Sequence, residues 1–238
     1  MGRKWNNIKY QKAAKDANRS KILAKFGLEI YVAAKPEPDP SINRNLQMII
    51  DKSKTYKVPK EIIDRAIEKA KGGKGEEYSE ITYEGYGVQG SAVMVECLTN
   101  NLNRTASEVR AAFTKNGGSL GVNGCVSYMF DTVAIIGAEN LEEEQVLDAL
   151  LENDCDVQDI ETTDEGVFVY ADPKDFNNVQ KVFQDLGVED FLTCEITKLP
   201  STYVKLDEEN REKFDRLIEM LEESEDVQNV YHNVEDEE

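Results

Sequence analysis

The chain has 238 residues, 40% apolar and 32% charged, with 28 basic against 47 acidic side chains and a net charge of −19. That is the balance of a globular protein of two or three small domains, and no run approaches the ~18–20 apolar residues of a membrane-spanning helix. The basic start lacks the apolar core of a secretory signal, and Ser20 is the only serine or threonine in its first 26 residues, unlike an Arg- and Ser-rich presequence, so a cytoplasmic location is expected.

The opening MGRKWNNIKYQKAAKDANRSKILAKF carries eight Lys or Arg against one acid, Asp16. Helical spacing puts Lys9, Lys12, Lys15 and Arg19 in one stripe, while Ile22, Phe26 and Ile30 recur at i, i+4, i+8. KPEPDP interrupts, because alternating prolines remove donors and favour an extended chain. Asp39-Pro40 then predicts the N-cap and first turn of a second helix with Ile42, Leu46, Ile49 and Ile50 inward. Pro59 opens a third, with Ile62, Ile63, Ala66, Ile67 and Ala70 inward and Gly72-Gly73 as its stop.

After residue 80 the period changes. SAVMVECL predicts a strand, TASEVRAAFTKNGG a helix with a Thr105/Glu108 capping box, and GCVSYMF the next strand. Residues 132–198 read strand (VAIIG), helix (LEEEQVLDALLEN), strand (VQDIE), strand (GVFVYA), helix (PKDFNNVQKVFQDL), strand (FLTCEIT), the βαββαβ order of a ferredoxin-like unit. The remnants on either side, ending in TYVKL, ENREKFDRLIEMLEE and VQNVYHN, are too small to stand alone and together complete a second such unit. The expected fold is α+β: an N-terminal three-helix bundle (1–75) plus two ferredoxin-like βαββαβ domains, one (132–199) inserted in the other (80–131 and 200–238).

The charge is partitioned along the same lines. Residues 1–75 hold 18 basic and 8 acidic side chains, net +10; residues 76–238 hold 10 and 39, net −29, and GGKGEE lies at the boundary. So large an asymmetry speaks to partners: the positive body seeks polyanions and the negative one repels them. Trp5 and Tyr10 interleave with the lysines, and aromatic rings among cations can stack on unpaired bases.

Catalytic and cofactor chemistry finds no footing. Gly85-x-Gly87-x-x-Gly90 has the dinucleotide spacing, but a strand-like segment follows where a helix N-terminus is needed, so it predicts a glycine-rich hairpin or bend. GGKGEE is not a phosphate loop. The single histidine, His232, lies on a terminal acidic strand, and the four cysteines (Cys97, Cys125, Cys155, Cys194) form no CxxC, so they read as reduced, mostly buried thiols. No catalytic residue, metal or cofactor is expected. Asn100, Asn101, Asn103 and Arg104 read as turn and N-cap chemistry, with a polar contact loop (Asn101, Asn103, Arg104) as the alternative.

MGRKWNNIKYQKAAKDANRSKILAKFGLEIYVAAK, VPKEIIDRAIEKAKG, YEGYG, ECLTNNLNRTASEVRAAFTKNGGSLG, VSYMFD and DVQNVYHN closely resemble the YebC/PmpR family, which includes a mitochondrial translational activator; the opening is most similar to the YeeN-like branch. GYGVQGS departs from the GYGPGG-like segment of many members. The resemblance implies non-enzymatic control of gene expression, described for the family both as transcriptional regulation on promoter DNA and as a ribosome-associated activity that relieves stalling. It implies nucleic-acid contact through the basic residues Arg3, Lys4, Lys9, Lys12, Lys15, Arg19, Lys21, Lys25, Lys57 and Lys60, beside Trp5. The expected partner is ribosomal RNA or promoter DNA, with the ribosome favoured, because acidic domains facing away from a basic tip suit an RNA cleft. The class-distinct alternative is a protein- or small-ligand-binding module using the ferredoxin-like sheets.

Overall fold

A computed structural model of the chain describes residues 4–5, 19–73 and 75–235. From residue 19 on, the described residues form three helices first: α1 (Arg19–Ala34), α2 (Arg44–Thr55) and α3 (Lys60–Lys71). Ile22, Phe26 and Ile30 are buried as their spacing requires, and α1 packs on both α2 and α3. The second helix starts later than Asp39-Pro40 predicted. Asp39 instead accepts from the Ser41 N–H and hydroxyl in a local turn, and Asn43 is the cap, its carbonyl oxygen receiving the Leu46 N–H at 3.0 Å. Ile42 therefore sits ahead of the helix and is 70% exposed, while Leu46 and Ile50 are buried.

Two four-stranded sheets follow. The first has the order β3-β1-β2-β8, from β1 (Ser79–Tyr86), β2 (Ala92–Thr99), β3 (Ser119–Leu120) and β8 (Val227–His232). Its β1–β2, β1–β3 and β2–β8 pairs are all antiparallel. Helices α4 (Leu102–Lys115) and α7 (Glu208–Glu223) supply Val109, Phe113, Phe214 and Leu217 to a core shared with Val93, Val95 and Cys97. The second sheet has the order β5-β6-β4-β7, from β4 (Phe130–Ala138), β5 (Val157–Thr163), β6 (Gly166–Ala171) and β7 (Thr193–Pro200). Alternation along β6 sends Val167, Val169 and Ala171 to a core with Val146, Leu150, Val179 and Phe183, which come from α5 (Glu143–Glu152) and α6 (Phe176–Asp185). That strand order is the ferredoxin-like one, and its four strands lie in sequence between β3 and β8, so one α/β layer is nested in the other.

The first sheet obtains its strands from different segments than predicted. SEITYEGY, given no strand in the sequence reading, forms β1 and makes a hairpin with β2 across the glycine-rich turn. GCVSYMF is a loop with a short 3-10 turn, and only Phe130 enters a strand. TYVKL contributes a single bridge, Val204 to Val234. The helix expected to start at Thr105 starts at Leu102, capped by Asn101, and Thr105 lies inside its first turn. Gly118 is needed where the α4–β3 turn crosses β1, since a Cβ there would lie 2.6 Å from the Tyr86 carbonyl oxygen.

The chain forms two compact units: Met1–Lys71 with Thr132–Lys198, and Gly72–Asp131 with Leu199–Glu238. Within the first unit, α2 is tied to β7 by the half-buried Lys52 and the buried Glu195 at 3.2 Å, and to α6 by Gln180 donating to Asp51 at 3.0 Å. Burial opposes the charge on Asp51, yet hydrogen bonds from Lys54, Gln47 and Gln180 hold its carboxyl below the ordinary value.

Candidate nucleic-acid interface

Of the cations expected to meet nucleic acid, Arg3, Lys9, Lys12 and Lys15 lie outside the described residues, as does Tyr10. The others divide into two groups. Arg19 reaches from α1 to the turn that ends α2, where its guanidinium donates to the Lys57 carbonyl at 2.7 Å and the Tyr56 carbonyl at 3.5 Å. Lys57 itself sits at φ +52°, a left-handed conformation that reverses the chain towards α3. Arg19, Lys57 and Lys60 are exposed and Lys21 and Lys25 half-buried, and the bond from Arg19 to the Lys57 carbonyl brings two of these residues to one corner of the helical body. Such a corner can neutralise phosphates and carries no base-reading geometry of its own.

Lys4 and Trp5 are placed elsewhere. Lys4 pairs with Asp159 at 2.9 Å and lies 5.1 Å above the Tyr170 ring. Trp5 is 4% exposed, stacked on Phe168 with 4.0 Å between centroids. Its indole N–H donates to Glu165 at 3.0 Å, and its backbone N–H to Glu161 at 3.3 Å. Phe168 and Tyr170 alternate with the core residues of β6, so these contacts cover the sheet face opposite α5 and α6. Gly137 on β4 makes this possible, because any Cβ there would run into the Phe168 ring. In this arrangement the face of Trp5 that could stack on a base is occupied.

The polar loop before α4 makes a set of internal contacts while Asn101, Asn103 and Arg104 stay exposed. Asn101 accepts the Arg104 N–H at 3.1 Å. The Arg104 guanidinium grips Asp226 with contacts of 2.8 to 3.2 Å and also reaches Asn100. Thr99 and Thr105 donate to the same Asp226 at 3.1 and 2.7 Å. The Asn103 carbonyl receives the Ser107 hydroxyl, and the Asn103 residue is exposed.

A feature that motif reading passed over lies in the first sheet's unit. Glu84 on β1 is 6% exposed, and its carboxylate accepts the backbone N–H groups of Gly124, Val126 and Ser127 at 2.8, 2.9 and 2.8 Å. Burial works against its charge, yet the three N–H groups win and the carboxyl lies below its ordinary value. The Tyr86 hydroxyl donates to the Cys125 carbonyl at 2.6 Å. Thus GCVSYMF is not a strand: the N–H groups of Gly124, Val126 and Ser127 go to a buried carboxylate, and those of Cys125 and Met129 to carbonyls within the loop. The loop so held presents Val122 and Tyr128, 78% and 74% exposed.

Residues 3–73 match the TACO1/YebC protein N-terminal domain, and residues 78–234 match the TACO1/YebC second and third domain. The chain belongs to the TACO1/YebC family. The crystal structure of a conserved hypothetical protein from Aquifex aeolicus is similar over 94% of this chain and 93% of that one, at 39% identity and a TM-score of 0.78. Membership supports a regulator-type role. Among the described residues no group of three or more His, Cys, Asp or Glu side chains is placed to hold a metal ion. His232 is buried on β8, edge-on to Phe214 at 5.1 Å, as a core residue would be. No described helix is long and apolar enough to cross a membrane.

Proposed function

We propose that this TACO1/YebC family member is a cytoplasmic, non-enzymatic regulator of gene expression that binds nucleic acid through its basic N-terminal helical body, residues 1–75. RNA of the ribosome is the favoured target and promoter DNA the other. The observation that carries the reading is the partition of +10 on residues 1–75 against −29 on residues 76–238, joined to the corner where Arg19 is bonded to the Lys57 carbonyl. Net repulsion from the acidic part disfavours a molecule lying flat along a duplex, although screening over ~8–10 Å softens it. A basic end entering an RNA cleft avoids that repulsion.

The test is affinity against salt for the full chain, on single-stranded RNA and on duplex DNA. Replacing Lys21, Lys57 and Lys60 together by Glu should flatten the logarithmic salt slope by about 2 on a single strand or about 3 on duplex DNA. Arg19 is left in place because it holds the Lys57 carbonyl. An unaltered slope would return these lysines to an ordinary solvated surface. Sedimentation of cell extract then separates the two targets: travel with ribosomes supports RNA, and travel with DNA overturns that preference.

A further inference from the structure

Two leucines of α5 face water. Leu147 and Leu151, one turn apart, are 40% and 65% exposed, beside the buried Val146 and Leu150 that anchor the helix to its core. Glu143 heads the same row and accepts from the Thr162 hydroxyl of β5 at 2.6 Å. β5 is an edge strand, so the row begins at the open margin of the second sheet. On the solvent side of the leucines runs a second row, Glu144, Asp148 and Glu152, at i, i+4 and i+8 and all exposed.

That second row is unbalanced by its own sequence. Residues 139–165 hold 12 acids, and no Lys or Arg occurs from 116 to 173. Like charges one turn apart weaken a helix, and Glu152 adds an anion in the last turn, where the macrodipole disfavours it and no basic residue offsets it. The equally acidic α7 does otherwise: Asp215, Glu209 and Glu212 pair with Arg211, Lys213 and Arg216, each one turn away, at 2.7 to 3.3 Å.

An apolar row bordered by an uncompensated acidic row on one helix matches one chemistry, a helix that carries apolar residues on one face and Lys or Arg beside them. A nucleic acid would be repelled by the acids, and a neutral apolar segment would leave them unpaired. The same domain already holds a cation and an apolar side chain together on its other face, where Lys4 meets Asp159 and Trp5 packs on Phe168. Beyond the nucleic-acid reading and independent of it, we propose that α5 docks a basic amphipathic helix of another protein. Its apolar side chains pack on Leu147 and Leu151, and its cations lie along Glu144, Asp148 and Glu152.

The test titrates the full chain with a labelled synthetic helix of Leu and Lys, about 18 residues or five turns long, with its leucines on one face. A peptide of the same composition with the leucines scattered round the helix is the control. The wild type should prefer the amphipathic peptide, and Leu147→Ser with Leu151→Ser should weaken that binding about tenfold or more. Leu151→Ser alone, at the more exposed position, repeats the test should the double variant melt early. Asp148→Lys with Glu152→Lys should also weaken binding while melting no earlier than the wild type, because it relieves the like-charge row. Glu219→Lys with Glu223→Lys makes the same change of charge on α7 and should leave binding within about twofold at physiological salt. Equal binding of the two peptides, or an equal loss from the α7 reversal, would reduce the attraction to the general acidity of the chain and overturn the site. Self-association of the wild type that the leucine variants abolish would overturn it too, by making a second copy the occupant. RNA binding by the leucine variants should match the wild type, so neither outcome bears on the nucleic-acid reading.

Discussion

Trp5 and Tyr128 both stand in acid-poor sequence, Trp5 beside cations, and the fold treats them oppositely. Trp5 is drawn onto Phe168 and ringed by Asp159, Glu161 and Glu165, so its surroundings are acidic even though its own segment is basic. Tyr128 is presented outward by a loop three of whose N–H groups, those of Gly124, Val126 and Ser127, turn towards one buried glutamate. An aromatic among lysines is thus no guide to a stacking surface. What decides is whether a complementary face lies within reach, and for Trp5 the uncovered side of the second sheet supplies one.

The largest effect that would sharpen this contrast is expected at Glu84. Glu84→Ala leaves three N–H groups without their acceptor in a buried place, at about 1–3 kcal/mol for each group that water cannot reach, so a loss of roughly 3 kcal/mol or more is expected. Glu84→Gln keeps an acceptor oxygen and should cost less. Chemical denaturation gives both numbers. If Glu84→Ala melts with the wild type, the loop stands without its carboxylate and the support assigned to Tyr128 is wrong.

The same carboxylate predicts a pH dependence with a definite sign. Its folded pKa lies below the ordinary 4.5, so its contribution is complete above that value and is lost as pH falls towards the folded one. Asp51, held low by Lys54, Gln47 and Gln180, adds a loss of the same sign near its ordinary 3.8. Stability should therefore fall steeply with acid below about pH 4.5, and Glu84→Gln should make that fall shallower. An equal acid slope in wild type and variant would remove Glu84 from the account.

Trp5→Ala comes next. Truncating a buried tryptophan costs about 3–5 kcal/mol in a core; near the start of a chain, where the segment can detach without opening the sheet, the low end, about 3 kcal/mol, is expected. RNA affinity per folded molecule and its salt slope should be unchanged. A specific loss on single-stranded RNA at unchanged stability would reverse the comparison and return Trp5 to the binding surface.

Why the second sheet could be read and the first could not follows from how each is closed. Residues 132–198 place their two central strands in the continuous apolar runs VAIIG and GVFVYA, with helices of ordinary length in the sequence, so period and order suffice. The first sheet depends on long-range events that leave no local trace. β1 is SEITYEGY, half polar, and is recruited by pairing with β2. GCVSYMF has strand composition but loses its donors to a residue 40 positions earlier. The corner formed by Arg19 and Lys57 was legible as charge, while the bond joining them across 38 residues was not. Trp5 failed to read for the same reason, its partners lying more than 150 residues away.

The smallest effect is expected at Lys4, and it tests what holds Trp5 in place. The Lys4–Asp159 pair is short at 2.9 Å, but both side chains are about half exposed, at 48% and 49%. Such pairs contribute about 0–1 kcal/mol, because water screens the attraction and two long side chains lose freedom in forming it. The cation lying over Tyr170 adds about 0.5–1 kcal/mol at an exposed position. Lys4→Ala should therefore cost under about 1 kcal/mol, a third of the Trp5→Ala loss or less, and the Trp5 environment should survive. Tryptophan fluorescence reads this directly, since Trp5 is the only tryptophan in the chain: its emission should stay that of a buried indole in Lys4→Ala and in high salt. Emission shifting to that of an exposed indole under either condition would mean that the acidic rim, rather than the stack on Phe168, anchors the segment. Trp5 would then be released wherever a polyanion competed for Lys4, and it would become available to a base after all.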